Sequence, residues 1–250
     1  MVDATYIDGG VADGLAERLA RVRARMARAA GRAGRDPAAV TLVGISKTMP
    51  VALVKDAVAA GLADLGENRV QEAREKIPQV DPGPRWHLVG HLQANKANVA
   101  ARLFDVVHSI DSGDLLARLD RAAGSAGRRL RGYVQVALAG EEQKAGVAPG
   151  DLEDVLRAAE GCEHVEVRGL MLLPPFDPDP ERSRPWFRRL REVAHEARMR
   201  HPRLGLEDLS MGMSEDFEVA IEEGATHVRV GRALFGERAV KDAPGRVEEP

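Results

Sequence analysis

Hydrophobic positions along this chain change their period near residue 40. Before it, Val11, Leu15, Leu19, Val22 and Met26 recur at spacings of three and four, the repeat of one helix face. The pattern predicts a helix over 11–33, ended by Gly34 and Pro37. From 41 onward, short runs rich in β-branched residues alternate with longer stretches of helical period. The strand runs are 41–46, 63–67, 86–90, 105–110, 132–138, 166–172, 208–211 and 227–231. Helical stretches lie near 51–60, 68–76, 94–102, 112–126, 150–160, 181–200 and 215–223.

Strands separated by helices need crossover connections, which build a parallel sheet. About eight such units in 250 residues predict an α/β fold, a single (β/α)8 TIM barrel with an extra N-terminal helix. An open doubly wound sheet is the competitor. The first connection lacks G-x-G-x-x-G, which counts against a dinucleotide-binding version. One domain is expected over 11–238, with a flexible leader at 1–10 and a flexible, charged tail at 239–250. The proline-rich stretch LLPPFDPDPERSRP at 172–185 lies between a strand and its helix and reads as a loop at the barrel mouth.

Composition narrows the classes. Charged residues make up 30% and hydrophobic ones 44%, with a net charge of −3. That balance argues against a general nucleic-acid binder. The arginines of the first helix (18, 21, 23, 25 and 28) read as a solvated face rather than a nucleic-acid surface. A single cysteine, Cys162, excludes an internal disulfide framework and fits a reducing cytosol. No apolar run is long enough for a membrane span, and the first ten residues do not form a signal peptide. A cytoplasmic protein without a membrane partner is expected.

Chemistry in such a barrel sits at the C-terminal ends of the strands. The strands deliver there Lys47, then Glu67 and Asn68, then His91, Gln93 and Asn95. Later strands add Met171, then Ser210, Met211 and Gly212, and finally Arg229, Gly231 and Arg232. Lys47 follows the apolar run TLVGIS. Burial favours a neutral amine, which attacks aldehydes; a strand-end lysine that snorkels to solvent is the plainer reading. Gly231 opens a short helical stretch through Phe235. Backbone amides there, with Ser210 nearby, suit an anion, although the glycines also suit ordinary tight turns.

Alternation places Arg229 inside the barrel, since Val228 and Val230 belong to the other face. Its partner is either a carboxylate such as Glu67 or an acceptor on a ligand, such as a ring nitrogen. Asn68 and Gln71 fit a helix capping box. His87 and His91 make a poor metal pair because the strand pattern breaks helical spacing. His108, Ser109 and Asp111 are too close in sequence to converge as a hydrolytic triad. Cys162 carries no nucleophile motif.

Several segments together resemble the pyridoxal-phosphate homeostasis protein family. They are GISKT at 44–48, GENRVQE at 66–72, WHLVGHLQANK at 86–96, GLM at 169–171, SMGMSEDFEVAIEEGATHVRVG at 210–231 and LFGER at 234–238. They run collinearly over about residues 40–238. The resemblance implies a barrel similar to the N-terminal domain of alanine racemase. It implies that Lys47 holds pyridoxal 5′-phosphate (PLP) as a reversible Schiff base. Ser210, Gly231 and Arg232 would hold the phosphate, the last two through backbone amides. Arg229 would face the pyridine nitrogen, and Asn68 and Met211 would line the ring. The chain departs from the family pattern at Ala137-Leu138-Ala139 and at Gln143 before Lys144, which bears on that loop's contacts.

The resemblance also implies PLP homeostasis without substrate turnover, not an enzyme. PLP-dependent apo-enzymes are the expected recipients, and a monomer is the expected state. An amino-acid racemase and a PLP-free Schiff-base aldolase are the alternatives. Racemases of this barrel type draw their second acid/base group from an added domain and a dimer partner. The residues after LFGER are too few for such a domain, and Tyr6 and Tyr133 lie outside the matched motifs.

Overall fold

The computed structural model describes residues 10–80, 83–138 and 145–236. The expected leader and tail therefore fall almost wholly outside the described residues. Helix α1 (Gly10–Arg32) is followed by eight βα units. The strands are β1 (Thr41–Ile45), β2 (Asp64–Glu67), β3 (Arg85–Leu88), β4 (Val106–Ile110), β5 (Leu130–Gln135), β6 (Val165–Met171), β7 (Asp208–Ser210) and β8 (His227–Val230). All pair in parallel and in sequence order. β8 returns to β1 and closes the barrel.

The outer ring comprises α2 (Val51–Ala59), α3 (Val70–Lys76), α4 (Ala97–Leu103), α5 (Gly113–Ser125), α6 (Leu152–Ala159), α7 (Arg184–Arg200), α8 (Phe217–Glu222) and the short α9 (Arg232–Phe235). The main core lies between the strands and these helices. Leu42, Leu65, Leu88, Val107, Val134, Leu170, Leu209 and Val228 face outward into it. Alternate residues face the axis, where Val43, Ile45 and Val89 form one small apolar cluster and Val106, Tyr133 and Met171 another.

Helix α1 buries the stripe Leu15, Leu19, Val22 and Met26. The expected solvated arginine face holds at Arg21 and Arg28, which are exposed, while other arginines in and just after α1 make specific contacts. Arg18 donates to the Leu234 carbonyl (2.7 Å), Arg23 to that of Gly61 (2.7 Å) and Arg35 to that of Ile221 (2.7 Å). Arg25 pairs with Glu218 and lies over the Phe217 ring, and Arg32 pairs with Glu222. These bonds lash α1 to α8, α9 and the turn after α2. The capping box is also corrected. Helix α3 begins with Arg69 as its cap and no side-chain cap bond. Asn68 instead sits half-buried just past the end of β2.

Candidate functional site

Strand β1 ends at Ile45, and Lys47 follows in a turn, half-buried. Continuing the alternation of Val43 and Ile45 puts Lys47 on the axis-facing side. Ser46 has the opposite parity and points into the wall. Its hydroxyl donates to Glu67 Oε1 (2.7 Å), and Lys76 Nζ donates to the Ser46 carbonyl (2.7 Å) and to Glu67 Oε1 (2.6 Å). Lys76 also reaches Glu72 (2.9 Å), whose carboxylate accepts from the Thr48 backbone N–H. Thr48 has φ 64°, the left-handed region that a β-branched residue rarely adopts. A buried ion cluster behind the wall therefore clamps the residues on both sides of Lys47. Burial pushes the Glu67 carboxyl above its ordinary range, more than its bonds to Lys76 and Ser46 pull it down.

Glu67 is thus the partner of Lys76 rather than of Arg229. Arg229 lies buried on the axis side, where Nη1 donates to Ser210 Oγ (2.6 Å) and Nη2 to the Leu172 carbonyl (2.8 Å). Burial pushes its pKa down to about 10, against the charge of Asp216, which raises it. At neutral pH only about one molecule in a thousand would lose that proton.

The loop after β7 makes a small cradle. Gly212 takes φ +90° and its Cα faces the Ala220 methyl so closely that an added Cβ would lie 2.5 Å from it. Asp216 accepts from the Met213 N–H (2.7 Å) and from the Ser183 hydroxyl (2.9 Å), which fixes the loop. Ser214 Oγ then accepts from the N–H groups of Gly231 and Ala233, both at 3.3 Å, where α9 begins. Arg232 turns its side chain to Glu215 (2.6 Å), so its guanidinium is engaged outside the cradle.

These positions divide the expected site residues. Lys47, Asn68, Arg229 and Gly231 gather at the C-terminal mouth, with the backbone of Arg232. Ser210 lies deeper, and its hydroxyl is held between Arg229 and His108 (2.7 Å). Met211 is fully buried in the core between strands and helices, on the face opposite to Ser210, so it does not line the mouth. Sequence reasoning passed over Ser214, although it lies inside the segment SMGMS. Its spacing of four from Ser210 is the only local signal. It also passed over Lys76, which nothing in the sequence joins to Lys47. His91 is mostly exposed beside Asp111 (3.2 Å). Among the described residues no cluster of histidine, cysteine and carboxylate side chains could hold a metal. Ala139, Gln143 and Lys144, where the chain departs from the family pattern, lie outside the described residues.

A closed parallel barrel with a lysine after its first strand and an amide–hydroxyl cradle after its last two defines a protein of the alanine racemase barrel class. The family model described as "Alanine racemase, N-terminal domain" matches residues 18–239. Alanine racemase from Streptomyces lavendulae shares the fold at 22% identity and a TM-score of 0.66, over 86% of this chain and 56% of that one. Much nearer are two pyridoxal phosphate homeostasis proteins. That of Pseudomonas aeruginosa is 44% identical, covering 90% of this chain and 96% of its own length. That of Aquifex aeolicus is 42% identical, covering 89% and 97%. Among solved structures, PipY of Synechococcus elongatus with PLP bound is 41% identical, with a TM-score of 0.80 over 89% of this chain and all of that one. This chain belongs to the pyridoxal phosphate homeostasis protein family.

Proposed function

We propose that this protein binds PLP covalently through Lys47 and holds it reversibly for PLP homeostasis, without turning over a substrate. PLP supplies an aldehyde that an amine captures reversibly. The donor set fits it. Lys47 supplies the amine at the mouth. Ser214 with the Gly231, Arg232 and Ala233 amides suits the phosphate, which leaves Ser210 to orient Arg229. Arg229 is a permanent donor for the pyridine nitrogen, and Asn68 borders the ring. With a guanidinium opposite it, that nitrogen stays unprotonated and the ring is a weak electron sink, which favours holding the cofactor over using it.

The observation that carries this reading is the convergence of Lys47, the Ser214 cradle and buried Arg229 at one mouth, in a chain whose relative PipY binds PLP. PLP-dependent apo-enzymes are the proposed recipients. No described helix is long and apolar enough to cross a membrane, and we place the protein in the cytoplasm as a monomer. The test is to add PLP to the full chain, reduce with borohydride and map the modified peptide. The label is expected on Lys47, with loss of label and of yellow colour in Lys47→Ala. A wild-type protein that takes no label would overturn the reading.

A further inference from the structure

Barrel interiors of this type are filled mostly by branched aliphatic side chains. Here His87, His108 and His227 come within 6.4 Å of one another, ring centre to ring centre, in the interior. Two of them belong to a continuous line of hydrogen bonds. Asp64, the first residue of β2, bonds His87 Nε2 (2.9 Å). His87 Nδ1 bonds His108 Nε2 (2.8 Å), His108 Nδ1 bonds Ser210 Oγ (2.7 Å), and Arg229 Nη1 bonds the same oxygen (2.6 Å). The line runs from the N-terminal end of the barrel to the mouth and crosses from β2 through β3 and β4 to β7 and β8.

Its ends dictate its direction. The Asp64 carboxylate can only accept, and the Arg229 guanidinium can only donate. His87 therefore carries its proton on Nε2 and presents a bare Nδ1. That atom accepts from His108 Nε2–H, which leaves His108 Nδ1 bare. Ser210 donates its hydroxyl proton to that nitrogen and accepts from Arg229. With both rings neutral, no other assignment satisfies all four links. Burial favours neutral rings and pushes both histidines below their ordinary range. Burial would raise the Asp64 carboxyl, but its bond to His87 and the charge of Arg85 hold it low, so it stays an acceptor. Arg85 Nε also contacts it at 2.9 Å. Tyr133 walls the line, its ring 4.6 Å from that of His108.

We propose that Asp64, His87, His108 and Ser210 form a one-way hydrogen-bond line that fixes how the Arg229 guanidinium faces the cofactor's ring nitrogen, which makes His108 a positioning residue of the site. The proposal rests on the PLP reading above. A reversed ring at either histidine would set two N–H groups, or two lone pairs, face to face. Ser210 would then turn, and Arg229 would lose the bond that aims it.

Two measurements test this. Nitrogen NMR of the cofactor-free full chain near neutral pH should show His87 and His108 neutral and protonated on Nε2. A charged ring, or a proton on Nδ1 of either, would overturn the line. In PLP-loaded protein, His108→Phe should raise the rate of PLP release by about tenfold and displace the visible absorption band, while borohydride still traps PLP on Lys47. Asp64→Asn keeps an acceptor but removes the charge, so it should give a smaller change in the same direction. If His108→Phe does not fold, the ring protonation and Asp64→Asn decide the matter. Wild-type release and band in both variants would overturn the proposal. Failure of wild type to label Lys47 would instead overturn the PLP reading, whatever the rings show.

Discussion

Replacing Lys76 with methionine removes an ammonium that lies behind the site rather than in it. The side chain of Lys76 is 6% exposed and that of Glu67 is fully buried. The ammonium makes three bonds, to Glu67 at 2.6 Å, to the Ser46 carbonyl at 2.7 Å and to Glu72 at 2.9 Å. Without it, Glu67 keeps only the Ser46 hydroxyl on Oε1, while Oε2 already lacks a partner among the described residues. Breaking a buried ion pair from one side costs about 3–5 kcal/mol, because the remaining charge must be neutralised or hydrated. Glu67 will therefore shift further above its ordinary range, and Lys76→Met should lose stability of that size. Replacing both partners, Glu67→Gln with Lys76→Met, leaves no buried charge and should recover about half or more of the loss. Urea unfolding of both variants and wild type, with the slope held common, measures this. Glu72 would also lose its anchor and release the Thr48 turn beside Lys47, so PLP affinity should fall by about tenfold, or 1.4 kcal/mol. A loss below about 1 kcal/mol in Lys76→Met, or a double variant no more stable than the single one, would refute the argument.

Two further outcomes follow from the same geometry. Ser214→Ala should weaken PLP binding by about tenfold and reduce competition by inorganic phosphate, whereas Ser210→Ala should leave that competition unchanged and alter the visible band instead; titration with phosphate present separates the two. Acid should destabilise the fold before ordinary carboxylates titrate. Burial holds His87 and His108 below their ordinary range and pushes His227 down to about 3, so the unfolded chain binds their protons first. Their stabilisation is complete above the unfolded value near 6.5 and is lost as pH falls toward the folded values. His227 alone contributes about 2 kcal/mol of that loss by pH 5. Glu67 and Asp208, which burial holds high, take up protons in the folded state and offset part of it. An unfolding midpoint that does not move between pH 7 and 5 would contradict this.

Much of the barrel was legible as period alone. A run such as TLVGIS at 41–46 can satisfy its backbone only in a sheet, and the helical stretch after each run forces the next strand to lie parallel. The end of β1 marked Lys47, the paired glycines after β7 and β8 marked a tight turn, and alternation sent Arg229 inward. These are local properties, because the period of side chains along a strand or helix follows from backbone geometry.

Other features depended on closure. The capping box at Asn68 failed because Arg69, itself extended, takes the cap position and α3 starts at Val70. Met211 could not be separated from Ser210 until register showed which of them faces the axis. Ser214 meets the start of α9 across 17 residues, Lys76 meets Ser46 across 30, and His108 meets Ser210 across 102. Such contacts exist only once the strands have paired, and that between His108 and Ser210 only once the barrel has closed. The sequence by itself determined the elements, their order and the lysine that ends the first strand. The tertiary structure alone decided which polar groups share the interior, because a hydrogen bond requires two atoms within about 3 Å and period says nothing of distant neighbours.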